Sequence, residues 1–286
     1  MAKAYVFYNP LAGHGKNPLD RQRLIDFFKE DECIFCDMTA PETYGETVAK
    51  IEETDKLVIC GGDGTLNRFL NLSADVPVKC EIYHFPGGSG NDFARDLGKE
   101  NDPDPFPITE YVKHLPTVEI KGKTCKFLNN VGFGIDGYCC EVGDELKKKS
   151  DKPVDYTGIA IKGLLFHYKP TTATVTVDGV KHTFEKAWLA PTMNGRYYGG
   201  GMNAVPDQDR LHNETLSVML FYGAGRLRTL IAFPSIFKGE HIKHKKMVKI
   251  LKGKEIKVEF DSPRSVQIDG ETILDVKEYV ARAPKN

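Results

Sequence analysis

The chemistry of this chain is concentrated where glycines interrupt short apolar runs. The first such place is Gly61-Gly62-Asp63-Gly64-Thr65-Leu66-Asn67, directly after the apolar residues 57–60. Three glycines in four positions permit positive φ and a close approach of backbone to ligand. An amphipathic segment over residues 66–72 follows at once. The turn therefore feeds a helix N-terminus, where unpaired N–H groups and the dipole favour an anion such as phosphate. Asp63 then stands where a metal ion or a polarised phosphate would sit. An ordinary strand-to-helix turn is the simpler reading, but it needs fewer glycines. A second block, Pro86-Gly87-Gly88-Ser89-Gly90-Asn91-Asp92-Phe93-Ala94-Arg95-Asp96-Leu97-Gly98, follows the apolar residues 81–85 in the same manner. Near the other end lies Asp269-Gly270-Glu271, whose Asp-Gly pair between two strand-like runs reads on its own as a hairpin turn.

Other candidates carry less. The loop Asn9-Pro10-Leu11-Ala12-Gly13-His14-Gly15-Lys16 could line a phosphate with backbone amides and Lys16. It is not a Walker A loop, because no Ser or Thr follows the lysine and the glycine spacing differs. Gly132-Phe133-Gly134-Ile135-Asp136-Gly137 satisfies G-x-G-x-x-G literally. A dinucleotide fingerprint should open the first βαβ unit and be followed by a second strand capped by an acid, whereas residues 147–155 are charged and turn-like. Seven cysteines are scattered through the chain, and Cys33-Ile34-Phe35-Cys36 has no second pair at zinc spacing. Buried, reduced thiols are expected. The basic clusters Lys147-Lys148-Lys149 and residues 241–246 read as solvated faces or as contacts for anionic lipid headgroups.

These residues need a frame. Strands are expected over residues 4–8, 33–38, 57–60 and 81–85, with helical spacing over residues 21–28 and 44–53 between them. Alternation of strands and helices argues a parallel sheet with ligands at the carboxyl ends of the strands. Two glycine-rich turns on neighbouring strands would face one crevice. Residues 101–107, rich in proline and acid, read as a boundary, beyond which short and alternating runs indicate a mainly-β sandwich or barrel with a helical insert near residues 156–168. Asp178-Gly179 marks a hairpin there. The expected division is an α/β domain over residues 1–115, a β-sandwich domain over residues 116–275, and a segment over residues 276–286 returning to the first.

The bulk composition narrows the class. The 286 residues are 41% hydrophobic and 28% charged, ordinary for a globular protein, and the net charge of −1 gives no global attraction to nucleic acid. No apolar run approaches the roughly 18 residues of a membrane helix. The first residues lack a signal peptide's apolar stretch, so a cytoplasmic location is expected.

Four blocks together resemble the diacylglycerol kinase catalytic-domain family of soluble bacterial lipid kinases, related to sphingosine and ceramide kinases. They are Asn9-Pro10 with Gly13 and Lys16, the Gly61 to Asn67 turn, the Pro86 to Gly98 block, and residues 266–271 with Asp269, Gly270 and Glu271. The glycine-rich turn alone is shared with NAD kinases; the later blocks are specific to lipid kinases. The resemblance implies an α/β nucleotide domain, a β-sandwich domain and a cleft between them. It implies ATP held by Asn9, Pro10, Gly13, Lys16, Thr39, the stretch Gly61, Gly62, Asp63, Gly64, Thr65, Leu66 and Asn67, and Ser89. Asp63, Asp92 and Glu119 are implied to form a water-and-Mg²⁺ network, Glu119 standing where the family has aspartate. The Asp269-Gly270-Glu271 turn is implied to supply the general base that accepts the proton of the lipid hydroxyl.

Two departures matter. The family continues its signature with glutamate where this chain has Arg68, a cation at a helix start that the dipole disfavours. Its structural magnesium site falls at Arg210, Asn213 and Thr215, where neutral asparagine is a weaker ligand for a hard cation; that site is expected to be weakened or empty. The leading expectation is an ATP-dependent kinase converting diacylglycerol to phosphatidic acid. The alternatives are a catalytically weak nucleotide- or lipid-binding homologue and an NAD kinase. Such a kinase would touch the membrane transiently, without nucleic acid, and a homodimer is left open.

Overall fold

The computed structural model describes residues 1–10, 19–39, 44–72, 76, 78–88, 90–150, 152, 154–212 and 214–284. The chain divides into two compact units, Met1–His114 and Leu115–Asn286.

The first unit is a five-stranded sheet in the order β2-β1-β3-β4-β5. Its strands are β1 (Lys3–Tyr8), β2 (Glu32–Asp37), β3 (Lys56–Gly61), β4 (Glu81–Pro86) and β5 (Phe106–Pro107). β1 to β4 run parallel and β5 closes the edge antiparallel. Among the described residues five helices accompany them: α1 (Arg21–Phe27), α2 (Tyr44–Ala49), α3 (Asp63–Leu72), α4 (Asp92–Asp96) and α5 (Thr109–Val112). β3 forms as a strand because Leu57, Val58, Ile59 and Cys60 are all buried, as a central parallel strand requires. Leu66, Phe69 and Leu70 give α3 its inward stripe, and Phe69 meets Phe7 edge-on at 4.9 Å.

The second unit is built around one ten-stranded sheet that folds over itself. Its path is β15-β14-β11-β8-β16-β17-β6-β7, with β9 pairing both β16 and β10. The strands are β6 (Thr117–Ile120), β7 (Lys123–Lys126), β8 (Asn130–Gly134), β9 (Thr171–Val177), β10 (Val180–Ala187) and β11 (Leu189–Met193), then a short pair, β12 (Tyr197–Tyr198) and β13 (Met202–Asn203), followed by β14 (Leu216–Phe221), β15 (Val248–Gly253), β16 (Glu255–Ile268) and β17 (Glu271–Arg282). The long β16 links both halves: residues 256–260 pair with β9 and residues 266–268 with β8, with register shifts between them. Such bulges let one strand bend from layer to layer. Phe133, Phe260 and Tyr279 stack inside, with centroids 4.2 and 5.9 Å apart. A second core lies under a helical layer of α6 (Ile135–Lys149), α7 (Tyr156–Lys162), a π-helical turn (Gly163–His167), α8 (Arg226–Ala232) and the 3₁₀ turns Phe233–Lys238 and Glu240–Lys243.

Two expectations change here. The boundary falls between His114 and Leu115, one residue from the expected division, but residues 276–282 are part of β17 in the second unit, in place of a return to the first. Lys147, Lys148 and Lys149, expected in a turn-like region, are the last turn of a fifteen-residue helix, α6. The G-x-G-x-x-G match has a packing reason. A Cβ on Gly137 would lie 1.9 Å from the Ser265 carbonyl oxygen, so these glycines let α6 press onto β16.

Candidate active site

The two glycine-rich turns of the first unit touch backbone to backbone. A Cβ on Gly62 would come within 2.9 Å of the Gly88 Cα, and one on Gly88 within 2.5 Å of the Gly62 Cα. The Gly87 N–H donates to the Gly61 carbonyl at 3.0 Å, closing the crossing. Gly61 has φ +154 and is covered by the Thr65 side chain, so glycine is needed there to turn β3 into α3. Gly64 is different. No described atom lies within 4 Å of a Cβ built on it, so packing gives it no reason to be glycine.

Asp63 joins the two turns electrostatically. Its carboxylate accepts the Asp92 N–H at 2.7 Å and the Phe93 N–H at 3.1 Å, capping α4 from the neighbouring loop. Asn91 cannot serve as that cap. It sits in the left-handed region with φ 47, and its side chain clamps Gly88, accepting its N–H and donating to its carbonyl, each at 2.9 Å. The role of this asparagine is thus conformational, a role visible only once the loop is closed. Asp92 is buried at the first position of α4. Among the other expected nucleotide residues, Leu66 is in the core, Asn67 accepts from the Asn71 amide at 2.8 Å, and Arg68 is exposed. Thr39 folds back on Asp37, donating from both its backbone N–H and its hydroxyl. Asn9 and Pro10 directly follow the end of β1. Gly13, Lys16, Ser89 and Asn213 lie outside the described residues.

His84 lies buried on β4 behind these turns, edge-on to Phe93 and Phe106, with Nδ1 3.1 Å from the Ile59 carbonyl. Burial pushes its pKa down to about 4, so the ring is neutral and Nδ1–H donates.

In the second unit the sharpest feature is Asp269. With Gly270 it forms a two-residue hairpin, φ 47 and 92, between Ile268 and Glu271. Positive φ at both positions is the type I′ geometry that matches strand twist. The Asp269 carboxylate accepts three backbone N–H groups, Leu128 at 2.5 Å, Asn129 at 2.7 Å and Asn130 at 3.0 Å. Arg210 donates to the Leu128 carbonyl and the Asn129 side chain, and Asn194 donates to the same Leu128 carbonyl. Arg210 therefore acts as a clamp on this loop. The Thr215 carbonyl accepts from Gln208 at 2.9 Å. Glu271, beside the turn, is exposed. Glu119 is exposed on β6 and held by Arg282 at 3.0 Å.

Sequence reasoning missed the support behind this turn. Gln267 accepts the Gly270 N–H at 2.8 Å. Asp136, at the start of α6, is buried and accepts from the Gly137 N–H; burial raises its pKa to about 7. A Cβ on Gly132 would run into both Asp136 and Gln267, which converge over that glycine. A single acid inside a glycine motif gives no signal of such burial. Nearby, a cavity of about 460 Å³ opens between α6 and β16, lined by Tyr138, Tyr168, Arg264 and Ser265 among others. Among the described residues, no group of three or more His, Cys, Asp or Glu is arranged to hold a metal ion alone.

Comparison with known proteins follows both units. Residues 3–119 match the diacylglycerol kinase catalytic domain, and residues 129–286 match the YegS C-terminal NAD kinase beta sandwich-like domain. A Bacillus subtilis (strain 168) protein named diacylglycerol kinase is 23% identical over 287 residues, covering 95% of this chain and 90% of the relative. A Mycobacterium tuberculosis (strain ATCC 25618 / H37Rv) protein of that name is 24% identical over 255 residues, covering 85% and 80%. The crystal structure of a diacylglycerol kinase from Bacillus anthracis str. Sterne superposes with a TM-score of 0.63 at 20% identity, covering 98% of this chain and 94% of that one. At that identity the likeness speaks for the fold alone.

Proposed function

The chain belongs to the diacylglycerol kinase catalytic-domain family of lipid kinases, and from that premise we propose that it transfers the γ-phosphoryl group of ATP to a lipid hydroxyl, diacylglycerol being the first acceptor to test. The observation that carries this reading is the crossing at Gly62 and Gly88, with Asp63 bridging the two turns. Phosphoryl transfer asks for positioning and charge neutralisation rather than covalent help. The first turn of α3, at Asp63 and Gly64, offers N–H groups the helix cannot satisfy, and the open space over Gly64 lets a phosphate approach them.

Mg²⁺ fits the acids present. The hard carboxylate oxygens of Asp63, held in place by the Asp92 and Phe93 N–H groups, are of the kind a hard cation or its waters take. Mg²⁺ bound there would neutralise phosphate charge. Asp63 and Asp92 are the residues to hold it, whereas Glu119 is already paired with Arg282.

For the general base we favour Glu271 over Asp269. Three N–H groups occupy the Asp269 carboxylate and give it the work of fixing the turn. Glu271 is exposed one residue beyond Gly270 and is free to meet a hydroxyl. The deciding experiment is a lipid panel with labelled ATP and Mg²⁺. Label in phosphatidic acid supports the reading. Binding of ATP with no labelled lipid supports the weak homologue, and label in NADP supports the dinucleotide kinase.

A further inference from the structure

One helix of the C-terminal unit carries its apolar residues on the outside. In α8 the buried positions are Thr229 and Ala232, while Leu227 and Ile231 are 69% and 73% exposed. Spaced i, i+4, those two side chains share one outward face. An ordinary surface helix turns such residues inward. Here the inner face is taken by smaller groups, and the Thr229 hydroxyl is buried without a hydrogen-bond partner.

The elements packed beside α8 expose apolar side chains as well. Arg226 ties the helix to the π-helical turn, its Nη1 donating to the Leu164 carbonyl at 2.8 Å, and that turn exposes Phe166 at 70%. The 3₁₀ turn that continues α8 exposes Phe237 at 44%. Large exposed apolar side chains on adjoining elements mark a surface that meets something.

Charge identifies the partner. Residues 226–249 hold seven lysines and arginines against one acid, Glu240, which Lys243 pairs at 2.8 Å. Residues 156–169 add Lys162 and Lys169 with no acid, in a chain whose net charge is −1. Exposed apolar side chains on segments this rich in cations suit the boundary of an anionic bilayer. A symmetric pairing of two copies through this face would set cation against cation.

We propose that α8, with Phe166 and Phe237, is the face by which this protein docks on anionic lipid bilayers. The proposal rests on the lipid-kinase reading only in giving docking a purpose, since the acceptor lies in the bilayer. It is tested on the full chain without ATP, by co-sedimentation with vesicles of phosphatidylcholine alone and of equimolar phosphatidylcholine and phosphatidylglycerol. The wild type is expected to pellet with the anionic vesicles and to release in high salt. Leu227→Ser/Ile231→Ser should lower that partition by at least about tenfold. Arg228→Glu/Lys238→Glu, which spares the apolar residues, should remove the preference for phosphatidylglycerol. Both variants should phosphorylate diacylglycerol in detergent micelles as the wild type does.

Three results overturn the proposal: no binding of the wild type to anionic vesicles, unchanged binding of both variants, or a change in the sedimentation of lipid-free protein as the only effect of the substitutions. A protein that binds vesicles through this face but phosphorylates no lipid leaves docking in place and removes the kinase reading. Lipid phosphorylation without the docking face does the reverse.

Discussion

The carboxylate of Asp63 receives the Asp92 N–H at 2.7 Å, so the acid of one glycine-rich turn caps the helix of the other. Asp63 thus has a structural load as well as the chemical one proposed for it. Substitutions separate the two. Asp63→Asn keeps an acceptor for α4 and should lower stability by about 1 kcal/mol or less, while lowering turnover at least about 100-fold. Asp63→Ala leaves two N–H groups without their partner and should lower stability by about 1–2 kcal/mol. Thermal denaturation beside the lipid-panel assay checks both. Turnover of Asp63→Asn near the wild-type rate would leave the residue only its capping role.

Asp269 and Glu271 should divide in the opposite sense. Asp269→Ala removes the acceptor of three N–H groups and places alanine at φ 47, and is expected to destabilise by about 3 kcal/mol. Glu271→Gln changes an exposed side chain and should move stability by less than about 0.5 kcal/mol, yet lower kcat about 100-fold or more. Urea unfolding and steady-state kinetics on the two variants decide it. If Glu271→Gln retains full kcat, the base lies elsewhere.

What the sequence made legible depended on how local each signal was. The strand, turn and helix around Gly61 to Asn67 are written in adjacent residues and appear in the fold as expected. So is the Asp178-Gly179 hairpin, with φ 47 and 84. α6 was hidden because Gly137 and Gly143 lower helix propensity. Their reasons are distant in sequence: Ser265 lies against Gly137, and the Tyr156 ring against Gly143. The bond from Asp269 to the Leu128 N–H spans 141 residues, and no spacing rule reaches that far. Glu119 likewise gains its partner Arg282 only when β6 pairs with β17.

The two buried titratable groups should give the units opposite pH responses. Asp136 has its pKa raised to about 7 by burial, above the ordinary carboxylate value. The stability it contributes is full below about pH 4 and is lost as pH rises through 7. Asp136→Asn should therefore melt progressively higher than the wild type between pH 5 and 8, by a difference on the order of 2–4 kcal/mol. His84 is the reverse. Its pKa lies near 4, below the ordinary imidazole value, so its contribution is full above about pH 6.5 and fades as pH falls toward 4. His84→Asn keeps an N–H for the Ile59 carbonyl and should flatten that acid limb. Calorimetry across this range reads both. A constant gap between Asp136→Asn and wild type at every pH would mean that the carboxyl is not held neutral.

Gly64 and Gly137 are both helix glycines, and the structure separates their reasons. A Cβ on Gly137 would fall 1.9 Å from the Ser265 carbonyl, a backbone atom that cannot move aside, so Gly137→Ala should cost more than about 3 kcal/mol or prevent folding. A Cβ on Gly64 meets no described atom, and alanine is the better helix former, so Gly64→Ala should stabilise by about 0.5–1 kcal/mol. If the space over Gly64 is where phosphate approaches, that more stable protein should bind ATP more weakly, with KM for ATP raised about tenfold and KM for lipid unchanged. Nucleotide titration alongside a thermal melt reads both effects from one variant. Higher stability with unaltered KM for ATP would move the phosphate away from the first turn of α3.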